Sequence, residues 1–299
     1  MKLHQPVLLE QTIELLDPKP GSTVIDMTAG YGGHADAILK RIKTNGELIL
    51  IDRDYDAVEY LQRKFGGKTN VAILQSNYAE INWPEIGQVD SALMDLGVSS
   101  PQLDNKSRGF SFNGEADLDM RMDRSQALSA YTIVNEYSEE ELADIIYYNG
   151  EENRSRKIAQ EIVNARRDKP ITTTKELALI IEKVVPKRGQ KIHPATKTFQ
   201  AIRIAVNDEL NNLEKTLPLV CEQLRAGGRL AVISFHSLED RKVKQFFKSI
   251  THTETDPVTG GVIGSPNFRL VNKKPVKGIT DDNNPRSRSA MLRVVEKIN

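Results

Sequence analysis

Three aspartates each stand directly after a short apolar run. Asp26 follows Thr23-Val24-Ile25, Asp52 follows Leu48-Ile49-Leu50-Ile51, and Asp95 follows Ser91-Ala92-Leu93-Met94. Such β-branched and aliphatic runs read as buried strands. After Asp26 come Met27-Thr28-Ala29-Gly30-Tyr31-Gly32-Gly33-His34, and then Ala35-Asp36-Ala37-Ile38-Leu39 with a helical pattern. An acid closes a strand, a glycine turn follows, and a helix opens. One such acid would read as a helix cap. Three at successive strand ends of an open parallel sheet would converge on one crevice, because ligands there bind beyond the carboxyl ends of the strands.

The sign of the charge limits what could enter that crevice. Gly30-Tyr31-Gly32-Gly33-His34-Ala35 fits the dinucleotide fingerprint G-x-G-x-x-G/A, and it equally fits a bare strand-to-helix turn. A nicotinamide dinucleotide is therefore one reading. A pyrophosphate, however, would be repelled by Asp26 beside the turn. S-adenosylmethionine carries a sulfonium and an ammonium against one carboxylate, so it is net cationic and would be attracted. Asp52 lies 22 residues after Gly30, near the spacing of about 20 expected of an acid on ribose hydroxyls. The residues favour a methyl-donor site.

These residues must be held by elements legible in the chain. His4-Gln5-Pro6-Val7-Leu8-Leu9 opens an amphipathic helix running to Leu16, and Pro18 and Pro20-Gly21 end it. Helices are predicted over Ala35–Arg41 and over Asp54–Lys64, the second capped by Asp54. Val71–Leu74 and Val89–Met94 read as strands, and Tyr78, just past the former, could cover an adenine. Beyond Asp95 the βα rhythm breaks at Arg108–Phe112 and Leu118–Asp123. From Thr132 to Leu213 the pattern is helical throughout. Ser138 with Glu141 and Thr173 with Glu176 form capping boxes, and Gly150 is the expected stop of one helix. Phe199, Ile202, Val206, Leu210 and Leu213 form one long apolar stripe. Gly227-Gly228 precedes a fifth strand, Arg229–Phe235, and Phe268–Val271 and Ala290–Val295 are placed to pair as a hairpin. The fold class expected is α/β, a Rossmann-like, mostly parallel sheet with an inserted all-helical domain. Its boundaries fall at residues 1–110, 111–214 and 215–299.

Lys+Arg 41 balances Asp+Glu 41 over 299 residues, so total charge identifies no partner. Its distribution does. Lys183–Arg203 holds six basic residues and no acid, and Arg269–Lys297 holds eight against three acids. Segments of that kind could track a phosphate backbone. The single cysteine, Cys221, excludes an internal disulfide and suits a reducing cytosol. It lies in a helical pattern, where a buried thiol is expected rather than a nucleophile. Neither a signal peptide nor a membrane span is expected, and no His/Cys/Asp spacing points to a metal.

Four stretches resemble a known family: His4-Gln-Pro-Val-Leu-Leu9, Gly30-Tyr-Gly-Gly-His-Ala35, Asp95-Leu-Gly-Val-Ser-Ser-Pro-Gln-Leu-Asp104 and Ser234-Phe-His-Ser-Leu-Glu-Asp-Arg241. Gly109-Phe110-Ser111-Phe112, Leu118–Asp123, His193–Arg203 and Pro285–Arg288 support it. Together they resemble the bacterial small-subunit ribosomal RNA cytosine-N(4) methyltransferases, the MraW-like family. The resemblance spans essentially the whole chain. It implies a class I methyltransferase sheet with a helical insert that recognises RNA. It further implies S-adenosyl-L-methionine as donor, and as acceptor a cytosine in the decoding region of 16S ribosomal RNA, within the small ribosomal subunit. A cytoplasmic enzyme without a metal follows. The family's donor contacts match here at Gly32, Gly33, His34, Asp52, Tyr78, Asp95 and Gln102. The aromatic is often Phe, and Tyr78 keeps a ring.

A cytosine exocyclic amine is a poor nucleophile, because its lone pair is conjugated into the ring. Many amino-methyltransferases carry Asp/Asn-Pro-Pro-aromatic at this strand end. Here Asp95-Leu96-Gly97-Val98 stands there, without prolines or ring. Asp95, or the carbonyls just after it, is a candidate acceptor for the amine hydrogens while also holding the donor; the alternative is that Asp95 serves donor binding alone. The target base must be splayed out of its stack. Candidates for gripping the RNA are Lys187, Arg188, Lys191, His193, Lys197, His236, Arg286 and Arg288.

Overall fold

In a computed structural model, residues 6–112, 114–185, 192–255, 262–263, 266–279 and 285–299 are described. Strand β1, Thr23–Asp26, sits at the centre of the main sheet. β2 (Glu47–Asp52) and β3 (Val71–Gln75) extend the sheet to one side. β4 (Val89–Asp95) and β5 (Leu224–Ser234) extend it to the other, and these five run parallel. After a short two-stranded ladder, β6 (Glu254–Thr255) with β7 (Val262–Ile263), come β8 (Phe268–Leu270), β9 (Val276–Lys277) and β10 (Met291–Lys297). β10 pairs antiparallel with β5, β8 and β9. The order is β3-β2-β1-β4-β5-β10-β8. The chain winds outward from β1 one way and restarts at β4 on the other side. The β1/β4 junction is thus the switch point where such sheets bind ligands.

Helices cover both faces. α1 (Leu9–Leu16), α2 (Gly33–Ile42) and α3 (Tyr55–Phe65) bury Ile13, Leu16, Ile38, Ile42, Leu61 and Phe65 against Val24, Leu48, Leu50, Leu93, Ala231 and Ile233. α4 (Trp83–Ile86), α11 (Glu209–Gln223) and α12 (Ser237–Thr251) bury Trp83, Leu213, Leu217, Val220 and Phe247 against Ile25, Ile49, Ala92, Met94 and Val232. The two sets of strand residues alternate, as the pleat requires.

The chain divides into two compact units, residues 1–97 with 210–299, and residues 98–209. The second contains α5 (Ser100–Asp104), α6 (Ala130–Glu136), α7 (Glu139–Gly150), α8 (Ser155–Asp168), α9 (Thr174–Val184) and α10 (Thr196–Asn207). Its core joins Ile133, Leu142, Ile146, Ile158, Ile162, Leu177, Ile181, Phe199 and Ile202. The segment that broke the βα rhythm is clamped into it. The buried Asn207 accepts from Met122 N (2.8 Å) and donates to the carbonyls of Met120 (2.8 Å) and Arg203 (2.9 Å). Asp119 holds Arg121 at Nε (2.8 Å) and Nη2 (3.0 Å).

Several expected boundaries shift for local reasons. Among the described residues α1 begins at Leu9, past residues 6–8, since Leu8 takes a left-handed conformation (φ 53°); His4 and Gln5 lie outside the described residues. α7 runs through Gly150 and ends at Glu151 (φ 50°). Gly150 instead lets α10 approach, because a Cβ there would meet the Lys197 carbonyl at 2.7 Å. The long stripe is two helices: Asp208, at φ 50°, ends α10, and Leu213 joins the core of the other unit. β5 starts five residues early, at Leu224, and absorbs Gly227-Gly228 in a register shift opposite Val89–Ser91. Both capping boxes form. No helix among the described residues is long and apolar enough to cross a membrane.

Candidate functional site

The pleat decides where the three aspartates point. Asp26 shares its parity with Val24, Asp52 with Leu48 and Leu50, and Asp95 with Leu93, all residues of the α1–α3 face. The acids therefore share a sheet face as well as a sheet end. The turn after β1 ties them together. Thr28 N donates to Asp26 Oδ1 (3.2 Å), and Asp95 N donates to Thr28 Oγ1 (2.6 Å). Gly30 N donates to Asp52 Oδ2 (2.7 Å), and Asp54 N to Asp52 Oδ1 (2.8 Å). Gly32, at φ 71°, caps α2, and a Cβ there would lie 2.6 Å from the Phe65 ring. Glycine is required on both grounds.

This cluster is electrostatically unbalanced. Burial, with Asp52 nearby, pushes the Asp26 carboxyl up to about 7, against the pull of the Thr28 N–H. Burial pushes Asp52 to about 6, offset in part by its backbone donors and Arg53. Asp95 is raised well above the usual carboxylate range by burial, then by Asp26 and Glu239. His34 does not neutralise it. Its Nδ1 lies 3.7 Å from Asp95 Oδ2, but burial lowers the imidazole to about 4. Asp95 Oδ1 is buried without a hydrogen-bond partner among the described residues, as is His34 Nε2.

A dinucleotide does not fit this arrangement. A pyrophosphate at this turn would face the buried carboxylates of Asp26 and Asp52, the second of which the Gly30 amide ties to the turn itself. A cation does fit. It would meet an unpartnered acceptor at Asp95 and relieve carboxylates that burial and mutual repulsion hold at raised values. A family model, the MraW methylase family, matches residues 1–298. The chain belongs to that family. It is an S-adenosylmethionine-dependent methyltransferase. It is 46% identical over 304 residues to ribosomal RNA small subunit methyltransferase H of Caldicellulosiruptor saccharolyticus, covering 99% of both chains. Proteins of the same name from Fusobacterium nucleatum (45%, covering 99% of this chain and 97% of the relative) and Symbiobacterium thermophilum (47%, 99% and 96%) are similarly close.

The remaining expected residues fall in several places. Gly33 opens α2 against Pro6, and a Cβ there would meet the proline ring at 2.5 Å. Tyr78 begins a short 3-10 turn, Tyr78–Glu80, directly after β3, and packs half-buried against the second core layer. Gln102 lies in the helical unit, where its Oε1 accepts from Ser99 N (2.8 Å) in a capping box. Lys187, Arg188 and Lys191 lie outside the described residues. His193 stacks on Phe112 (4.3 Å), with Nε2 2.9 Å from Glu182 and Nδ1 accepting from Ala195 N. Lys197 donates to the Glu151 carbonyl (2.8 Å) at the end of α7. His236 is the N-cap of α12. Arg286 and Arg288 lie in the 3-10 turn Pro285–Ser289, with Arg288 exposed. Cys221 is buried and its thiol is pushed up to about 12 by burial, which fits the structural role expected of it. No cluster of three or more His/Cys/Asp/Glu among the described residues could hold a metal.

Sequence reasoning did not single out Thr28, whose hydroxyl joins β1 to β4, or Glu239. Glu239 was legible as the third helical residue after a cap. It was missed because the cap is a histidine rather than Ser, Thr, Asp or Asn.

Proposed function

We propose that this enzyme methylates the exocyclic N(4) amine of a cytosine in the decoding region of 16S ribosomal RNA, in the cytoplasm and on RNA within the small ribosomal subunit. The observation carrying the reading is the buried, unpartnered Asp95 Oδ1 at the switch point, beside carboxylates suited to a cation. When bound, S-adenosylmethionine supplies an electrophilic methyl on a sulfonium that departs as a neutral thioether. Gly32, Gly33 and His34 would border the donor, Asp52 would accept from its ribose hydroxyls, and Tyr78 would cover its base. Gln102 completes the donor contacts that the family resemblance carries. Asp95 accepts from the amine hydrogens. That raises electron density on nitrogen as the methyl approaches, and the carboxylate takes the proton the amine must lose. Holding amine and methyl in line supplies most of the rate. The unit of residues 98–209, which overlaps the 111–214 block expected from sequence but begins and ends earlier, carries RNA recognition, with Lys187, Arg188, Lys191, His193 and Lys197. Arg286, Arg288 and His236 contribute from the other unit.

The support is the family membership, the small-subunit ribosomal RNA in the relatives' names, and the basic segments. The test is mass mapping of 16S RNA from cells with and without the gene, joined to turnover of purified enzyme on small subunits. N(4)-methylcytidine that vanishes with the gene and reappears in vitro is the expected result. An unchanged nucleoside pattern refutes it. Asp95→Asn protein that binds donor normally and turns over at the wild-type rate removes the acceptor role.

A further inference from the structure

The tetrapeptide at the end of β4 lacks the aromatic ring that amino-methyltransferases commonly place there, yet a ring stands beside it in space. β4 and β5 pair in parallel with Asp95 opposite Ile233, and Leu96 N donates to the Ile233 carbonyl (2.9 Å). Just past the ends of the two strands, Gly97 and Phe235 lie side by side. A Cβ on Gly97 would lie 3.7 Å from Phe235 Cδ2, so the ring borders the bare backbone of Gly97 directly. Gly97 holds φ 87°, so the turn after Asp95 itself favours a residue without a side chain. Phe235 has the strand parity of Ala231 and Ile233, and hence stands on the sheet face of Asp26, Asp52 and Asp95. It is only partly buried, although it packs against that core.

The backbone that carries the ring is also held. Glu239, 2% exposed, accepts from the backbone amide of Phe235 (2.8 Å) and from that of His236 (3.3 Å) through Oε2. Its Oε1 lies 3.1 Å from His236 Nε2, and His236 Nδ1 in turn accepts from Glu239 N (3.4 Å). An ordinary Ser or Asp cap with a Glu three residues later would satisfy the helix end. Here the carboxylate reaches further back and pins the residue before the cap.

We propose that Phe235 is the face against which the target base lies, next to the Gly97 backbone, and that Glu239 is the positioning residue that fixes this ring relative to Asp95. The stacking ring absent from the β4 motif is thus supplied by the residue that follows β5. The inference rests on the cytosine reading above. A base splayed from RNA gains sequence-tolerant stacking on such a ring, while Asp95 selects for an amine by accepting its hydrogens.

The test compares Phe235→Leu, which keeps apolar bulk and loses the π-face, with Phe235→Tyr, which keeps it. Wild-type and variant enzymes are titrated with S-adenosylmethionine and assayed for N(4)-methylcytidine on small subunits. Phe235→Leu is expected to keep donor affinity within about twofold. Its kcat/KM on RNA should fall about tenfold to a hundredfold, the range of base–aromatic stacking. Phe235→Tyr should recover most of that loss. If the leucine variant melts early, Phe235→Met is read the same way. Glu239→Gln should lower turnover without loss of donor affinity; compared on the high-pH plateau of each variant's pH–rate profile, where the loss of the Glu239 charge beside Asp95 no longer counts, it should add little to Phe235→Leu, since there it acts through the ring. Leucine and wild-type enzymes turning over alike, or a tyrosine variant as slow as the leucine one, would overturn the assignment of Phe235. Full additivity of the Glu239 and Phe235 changes would overturn the positioning role. Wild-type enzyme that forms no N(4)-methylcytidine would overturn the cytosine reading, and this inference with it.

Discussion

Asp26→Asn should make the empty protein more stable above neutrality while weakening its hold on the donor. Asp26 is 1% exposed and its carboxyl is raised from 3.8 to about 7, chiefly by burial. A group whose folded value lies above its unfolded one contributes stability below the unfolded value and loses it as pH rises through the folded one. Empty wild-type protein should therefore lose stability between about pH 4 and 7. The span is about three pH units at about 1.4 kcal/mol each, so the loss approaches about 4 kcal/mol. Asparagine keeps an Oδ1 for the Thr28 amide and carries no charge. It also relieves Asp95, whose carboxyl Asp26 helps to raise. Denaturant unfolding at pH 5 and at pH 8 reads the effect: the variant's advantage should be about 1.6 kcal/mol at the lower pH and approach the full value of about 4 kcal/mol at the higher. Calorimetry reads the functional side. In wild type, a cationic donor selects the ionised carboxylates, so binding should release protons and tighten as pH rises through about 6 to 7. In Asp26→Asn, proton release and pH dependence should both shrink. Parallel stability curves for the two proteins from pH 5 to 8 would refute the view that an uncompensated buried charge waits there for a cation.

Two further outcomes test the helical unit. Neutralising Lys187, Arg188 and Lys191 together should weaken RNA binding and reduce the slope of log K against log salt by about 2, at about 0.7 per phosphate contact on single strands; an unchanged slope removes them from the interface. Asn207→Ala should destabilise the protein by about 2–4 kcal/mol, because it strips partners from the buried backbone groups of Met120, Met122 and Arg203. A cost below about 1 kcal/mol in denaturant unfolding would show that the 118–123 segment is held by other means.

The parts of the molecule governed by short-range chemistry were legible along the chain. Apolar runs closed by Asp26, Asp52 and Asp95 marked strand ends, and Ser138 and Thr173 marked helix starts, because the side chain and the amides it satisfies lie within one turn. Asp54 capped α3 as expected, accepting from Asp56 N at 3.1 Å. That the crevice would be acidic followed from the residue types alone. Tertiary structure decided what depends on distant neighbours. Gly150 reads as a stop but is a contact with α10, and the stripe from Phe199 to Leu213 reads as one helix but serves two cores. Linear spacing cannot show that Gly30 N is engaged by Asp52, which ties the glycine turn to the end of β2. Nor can it show Phe235 beside Gly97, since 138 positions of sequence separate residues that the fold makes neighbours. Charge and local propensity are properties of residues. Burial, which raises the carboxylates and gives the site its appetite for a cation, belongs to the folded chain.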